Sequence, residues 1–311
     1  MKKYLLKRIL ISIATLIVII LVLFLLMDLM PGTPFNDEKL TEAQLALLYE
    51  KYGLDKPLII RFFLYLKNMV TGDLGVSYAI NKNFAISDMI KGRLQVSLLV
   101  GAMAMVFGTI MGLLLGVVAA LNHNSWIDNL CSGISVLGVS LPSYVVALLL
   151  AYFIAYKLKW LPILYNQKAP IVSLILPALA LSVSPTANIA RFTRSEMIDV
   201  MNSDYMMLAQ SKGIKDHKLI VRHAMRNTLI PIITVMGPIL VNLLTGSSVI
   251  EKIFGIPGIG SLMISGIQQN DYNVTIACSF IYSVMYIVTM LIVDILYGVI
   301  DPRIRVSKDG A

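Results

Sequence analysis

Few residues in this 311-residue chain are spaced to do covalent chemistry. The three histidines, His123, His217 and His223, are scattered and have no partner at metal-ligand spacing. They read as solvated polar residues. The two cysteines, Cys131 and Cys278, fall in apolar runs, with no CxxC and no disulfide framework. GxSxG, HExxH, GxGD and GxxxxGK[ST] are all absent, so the chain cannot hold ATP by a P-loop. These absences argue against an enzyme.

The remaining candidates are residues that act inside a membrane. Asp28 and Asp294 interrupt apolar runs, and intramembrane carboxylates are costly and often functional. A proton relay is one reading. An interfacial ion pair or hydrogen bond is preferred, because Asp28 ends its run and Asp294 lies near Arg303 and Arg305. Gly108, Gly112 and Gly116 form a GxxxGxxxG stripe that lets helices approach closely in lipid. It serves a subunit contact or packing within the chain. Pro177, Pro185, Pro231 and Pro238 punctuate two apolar runs, as a moving core or static curvature would require. The glycine-rich EKIFGIPGIG (251–260) reads as an external turn re-entering toward the bundle; no strand precedes it, so it makes a poor phosphate cradle.

Composition says what must position these residues. Hydrophobic residues make up 57% and charged residues 14%, and mean hydropathy is +0.78. Soluble domains carry about 25% charged residues. A membrane-spanning helix needs about 20 apolar residues. Six stretches qualify, roughly 9–30, 97–121, 132–156, 171–190, 229–249 and 274–298. The basic MKKYLLKR start resembles a signal peptide, but the first run is too long for one and no A-x-A site follows. It reads as an uncleaved anchor.

The net charge of +8 suggests a nucleic-acid binder only until the charges are located. Lys2, Lys3, Lys7 and Arg8 precede the first run. Arg191, Arg194, Lys212, Lys215, Lys218, Arg222 and Arg226 lie in segment 191–228, and Arg303, Arg305 and Lys308 lie in the tail. With six spans all of these share one side, which is the cytoplasmic side by the positive-inside rule. The chain is therefore expected to be an all-α polytopic protein with both termini inside. Its expected parts are an anchor helix (1–30), an external helical segment (31–96), a five-helix transmembrane domain (97–300) and a cytoplasmic tail (301–311).

Segment 31–96 predicts two helices. One opens at Thr41 and stops at Gly53, and the other starts at Pro57 and runs to 70 as an interfacial helix. In segment 191–228, Ser203 or Asp204 caps a helix running to Gly213, a good left-handed stop. A second amphipathic stretch, KLIVRHAMRN, then leads to Pro231. Ala209 is expected one turn before Gly213 on the same face, small enough for close contact with a partner.

Segment 205–234, YMMLAQSKGIKDHKLIVRHAMRNTLIPIIT, resembles the EAA loop of bacterial ABC-importer permeases, in particular the B-type subunit of the dipeptide/oligopeptide/nickel family. Further matches are LLKRIL (5–10), LMPGTP (29–34), YGLDKP (52–57), GDLGVSY (72–78), ARFTRSEMIDV (190–200), EKIFGIPGIG (251–260) and DILYGVIDPRIR (294–305). The family's Glu-Ala-Ala stands here as Met207-Leu208-Ala209, so only the second alanine and Gly213 survive and the acidic residue is replaced by Met207.

The resemblance implies a type I ABC-importer permease fold in the bacterial cytoplasmic membrane, pairing with a homologous C-type subunit. Two cytoplasmic ATPases, which bind ATP and Mg, would dock on Tyr205, Met207, Leu208, Ala209, Gly213, His217, Arg222 and Asn227. An extracytoplasmic solute-binding protein would deliver peptide to a face made by Gly72, Asp73, Gly75, Glu251, Phe254, Pro257, Gly258 and Gly260. The chain itself would bind no cofactor, metal or nucleic acid. The same permease type carries nickel and other small ligands. A self-sufficient secondary transporter would need midplane carboxylates and an internal repeat, and neither is visible.

Overall fold

The computed structural model describes residues 2–29, 43, 46–47, 49–50, 53–244 and 248–300. Helices dominate them, with one isolated antiparallel bridge, Val76 to Ala85. The chain order is α1 (Lys2–Leu29), α2 (Leu58–Val70), α3 (Ile86–Leu121), α4 (Trp126–Ser140) and α5 (Ser143–Lys157). It continues with α6 (Pro170–Met201), α7 (Asp204–Ser211), α8 (Met225–Leu244), α9 (Ser248–Ile253), α10 (Ile259–Gln268) and α11 (Tyr272–Ile300).

Four of these helices, α1, α3, α6 and α11, are long and apolar enough to cross a membrane. Two bent pairs raise the number to six. The expected single span 132–156 is one such pair: α4 and α5 meet at 103°. The cause is Pro142. Leu141 before it is extended at φ −83°, ψ 125°, and Pro142 itself leaves the helical region at ψ 135°. In the second pair the axis turns by 51° at Thr234, inside α8. Pro238 stands four residues later, where its ring removes the bond to the Thr234 carbonyl. Pro177 and Pro185, in contrast, lie inside one unbroken helix.

The other spans are longer than the apolar runs that announced them. The 36 residues of α3 extend about 54 Å, against a hydrocarbon layer of about 30 Å. Its first eleven residues fall in the stretch expected to be the external segment. Likewise 191–201, expected in the cytoplasmic segment, is the end of α6.

Two compact units emerge, Met1–Ser97 with Pro257–Val288, and Leu98–Ile256 with Thr289–Ala311. In the first, Ile20 and Phe24 of α1 pack with Phe62 and Met69 of α2, and with Ile86, Leu262, Val274 and Cys278. The Phe24 and Phe62 rings meet edge-on at 5.8 Å. Burial pushes the Tyr65 hydroxyl above the usual tyrosine range. The helical turn before α2 ends at Gly53, where Leu54 N–H donates to the Tyr49 carbonyl at 2.8 Å. The expected opening at Thr41, the stretch 30–34 and the tail 301–311 lie outside the described residues, as do the side chains of Asp28 and Asp294.

In the second unit the glycine stripe packs within the chain. A Cβ on Gly108 would stand 2.6 Å from Pro185 Cβ, one on Gly112 2.8 Å from Ile189 Cβ, and one on Gly116 2.5 Å from Thr193 Cβ. All three partners belong to α6. Of the two uses left open for the stripe, the structure takes packing of α3 on α6.

Candidate functional site

The site is built at the end of α6. Asn202 closes that helix, and Ser203 is extended at φ −79°, ψ 152°, turning the chain into α7. Ser203 holds the N-cap position, but its hydroxyl donates back to the Val200 carbonyl at 2.5 Å and makes no cap bond. The helix ends at Ser211 with Lys212 as its C-cap, which leaves Gly213 at the C′ position expected of it. Gly213 then adopts φ +74°, a region that a side chain penalises. Its N–H donates to Gln210 O at 2.8 Å, and Ile214 N–H reaches Ala209 O at 3.4 Å. A Cβ at 213 would meet open space.

α7 has two apolar faces. Met206 and Ala209 point inward and pack with Met197, Leu219 and Ala224. Tyr205, Met207 and Leu208 point outward, 43%, 54% and 57% exposed, and Val221 nearby in sequence is 59% exposed. The apolar outer face has no covering element among the described residues, the mark of an interaction surface. Asn227 of α8 donates its amide to the Tyr205 hydroxyl at 2.8 Å and fixes one edge. Gly213, His217, Arg222, Lys212, Lys215, Lys218 and Arg226 are exposed.

One expected contact residue is corrected. Ala209 is buried against its own chain and does not share the open face of Gly213. Its small size serves the fit of α7 onto Met197 and Leu219.

A buried ion pair braces this region. Asp128, in the first turn of α4, is 2% exposed. Arg194 of α6 donates to it twice, Nε to Oδ1 at 2.6 Å and Nη2 to Oδ2 at 2.7 Å. The Asn124 N–H adds a bond at 3.0 Å, and His123 Nδ1 lies 3.4 Å from the carboxylate. His123, read from sequence as merely solvated, therefore borders a fixed charge pair.

In the first unit, the loop after α2 is held by another buried carboxylate. Asp271 is fully buried and accepts from Ser77 Oγ at 2.5 Å and from the N–H groups of Tyr78, Ala79 and Ile80 at 3.2, 2.9 and 3.1 Å. Successive N–H groups of this kind form a nest for an anion. Asn273 adds a bond to Val76 O at 3.1 Å. Within this loop Asp73 Oδ1 accepts from Gly75 N–H at 2.9 Å. Gly72 and Asp73 are exposed, whereas Gly75 and Pro257 are half-buried. Glu251, Phe254, Gly258 and Gly260 are buried in their own chain, so they shape the 251–260 segment and present little surface.

The sequence reading missed Asp128, Asp271 and Pro142. Ser125-x-x-Asp128 is a capping pattern at a helix start, and Ser125 does accept from Asp128 N–H at 3.4 Å. Asp271 carries a similar signal, a polar residue just before an apolar run.

The model of the binding-protein-dependent transport system inner membrane component matches residues 112–306, and that of the N-terminal part of such components matches residues 1–95. The chain belongs to this family. It is 42% identical over 305 residues to the dipeptide transport system permease protein DppB of Lactococcus lactis subsp. cremoris, covering 98% of this chain and 100% of that protein. It is also 42% identical over 311 residues to DppB of Bacillus subtilis, covering 100% of both. The oligopeptide transport system permease protein OppB of Salmonella typhimurium is 39% identical over 306 residues, covering 98% of this chain and 100% of that protein. The inward-facing MetNI methionine ABC transporter shares the fold, with a TM-score of 0.55 at 15% identity over 68% of this chain and 96% of that one. The chain is a multi-pass protein of the bacterial inner membrane and an inner-membrane component of a binding-protein-dependent transport system. It is a transport component, not an enzyme.

Proposed function

We propose that this chain is a transmembrane subunit of an ATP-driven peptide importer and supplies half of the pathway beside a homologous C-type subunit. The observation that carries the peptide reading is 42% identity, end to end, to a dipeptide permease. Two cytoplasmic ATPases, which bind ATP and Mg, dock on the outer face of α7. The exposed Tyr205, Met207 and Leu208 support this, because a cytosolic helix gains nothing from an apolar outer face unless a partner covers it. The exposed basic residues beside α7 support a cytoplasmic placement. An extracytoplasmic solute-binding protein meets the external face, where Gly72, Asp73 and Lys82 are exposed on a loop pinned by Asp271.

The test is the whole importer, reconstituted in proteoliposomes with both permeases, both ATPases and the binding protein. ATP-dependent uptake of labelled dialanine or tetraalanine is expected. Uptake of neither, with accumulation of nickel instead, overturns the peptide reading.

A further inference from the structure

The second unit contains a cleft between α5, α6 and α8 that the coupling surface does not use. It is open on one side and has a volume of about 250 Å3. Ser143 of α5, Ser184 and Asn188 of α6, and Asn242 of α8 line it, with Leu181 and Ile239 between them. No charged side chain takes part. The polar residues come from three helices, so no single apolar run reveals them as a set.

Their exposure is the decisive fact. Ser184 and Asn242 are exposed, and Asn188 is half-buried. Ser184 lies inside the apolar run 171–190 and Asn242 inside the apolar run 229–249, so both belong to the stretches expected to cross the membrane. Hydrocarbon offers an amide no hydrogen bonds, so polar side chains in such a stretch face protein or water. Asn188 is also held in place. Its amide nitrogen donates to Ser184 O at 2.9 Å, and its amide oxygen accepts from Arg191 at 3.2 Å.

We infer that this cleft is a water-filled stretch of the pathway wall, where Ser184, Asn188 and Asn242 exchange hydrogen bonds with the main chain of the passing peptide. The inference rests on the peptide reading above. An asparagine amide carries both donors and acceptors, which matches the N–H and C=O groups repeated along every peptide. The lining side chains themselves carry no charge, and the guanidinium beside them, that of Arg191, is bound to the Asn188 oxygen.

The test uses the complete importer. Asn242→Leu and Asn188→Leu are each expected to lower dialanine uptake about tenfold, with ATPase co-purification unchanged, while Asn242→Gln stays within about threefold. Asn242→Cys is combined with Cys131→Ser and Cys278→Ser, which remove the two buried native thiols. A cationic, membrane-impermeant thiosulfonate is expected to modify the introduced thiol. Wild-type uptake by both leucine variants, or reaction of the cysteine only with a lipid-soluble maleimide, overturns the inference. If a leucine variant fails to assemble, the labelling decides. If the unmodified importer carries neither peptide but the cysteine reacts with the cationic reagent, the peptide reading fails and the watery wall stands.

Discussion

Arg194 grips Asp128 through two nitrogens, at 2.6 and 2.7 Å, across 66 residues of sequence. The pair joins the first turn of α4 to α6 one helical stretch before the chain turns into α7. The carboxylate is 2% exposed and the guanidinium 31%, so the bond is shielded from solvent mainly on the acid side. Breaking such a pair from one side strands a charge, which costs more than removing both partners. Arg194→Ala is expected to cost about 2–3 kcal/mol, and Asp128→Asn combined with Arg194→Gln distinctly less. Thermal denaturation of the purified complex measures both. Equal losses from the single and double changes would show that the pair is not a closed unit.

The stripe on α3 predicts a different failure. A Cβ on Gly116 would come within 2.5 Å of Thr193 Cβ and 2.6 Å of the Ala190 carbonyl, so α3 or α6 must move. Gly116→Ala is expected to destabilise the chain by about 1–3 kcal/mol. Gly133, whose Cβ would meet nothing within 4 Å, serves as control, and Gly133→Ala should be neutral or slightly stabilising. A lower melting temperature for the first substitution and not the second is the expected result. Undisturbed stability in Gly116→Ala, with loss of partner-subunit binding, would return the stripe to an intersubunit role.

On α7, neighbouring residues should behave in opposite ways. Leu208→Lys charges an exposed position and leaves the packing of Met206 and Ala209 alone. ATPase co-purification is expected to fall at least about tenfold with little change in melting, as loss of a central apolar contact would produce. Ala209→Leu instead overfills the contact with Met197 and Leu219 and should lower stability. If Leu208→Lys retains full ATPase binding, the outer face of α7 is not the docking surface.

Gly213 gives a backbone test of the same region. With φ +74° and open space where a side chain's first carbon would stand, only conformational strain opposes substitution. Gly213→Asn should be nearly neutral, because asparagine tolerates this region, whereas Gly213→Val should cost roughly 1–2 kcal/mol. Peptide uptake and melting separate the two. A loss of uptake in Gly213→Asn without loss of stability would place a partner directly against this turn.

The sequence makes the spans legible because lipid demands about 20 apolar residues in a row, and nothing else in the chain mimics that pattern. It also makes the α7 turn legible, since Gly213 is a strong local stop. What stays hidden depends on three-dimensional pairing. Nothing in the order of residues couples Asp128 to Arg194 or Asp271 to Ser77. The inward face of Ala209 is hidden for the same reason: an eight-residue helix with apolar residues on both sides carries no periodicity to say which side is covered. The 103° break has its signal at Pro142, but apolar residues on either side mask it.

Asp271 closes a nest that loop residues 78–80 would otherwise leave open. Its carboxylate takes the Ser77 hydroxyl and three N–H groups, and all of these lie at buried or half-buried positions. Asp271→Ala strands several donors at once, at about 1–3 kcal/mol for each that water cannot reach. Asp271→Asn keeps one acceptor oxygen and exchanges the other for a donor facing donors, so it should fall between wild type and alanine. The readout is hydrogen exchange at 77–80 in the intact protein. Faster exchange confined to this loop is expected in both variants, with α7 unchanged. Because the loop carries the exposed Gly72 and Asp73 edge, capture of the binding protein should weaken in the same order. Wild-type exchange in Asp271→Ala would mean that the loop holds its shape through its own turns, such as the Asp73 to Gly75 bond at 2.9 Å, and that the carboxylate is incidental.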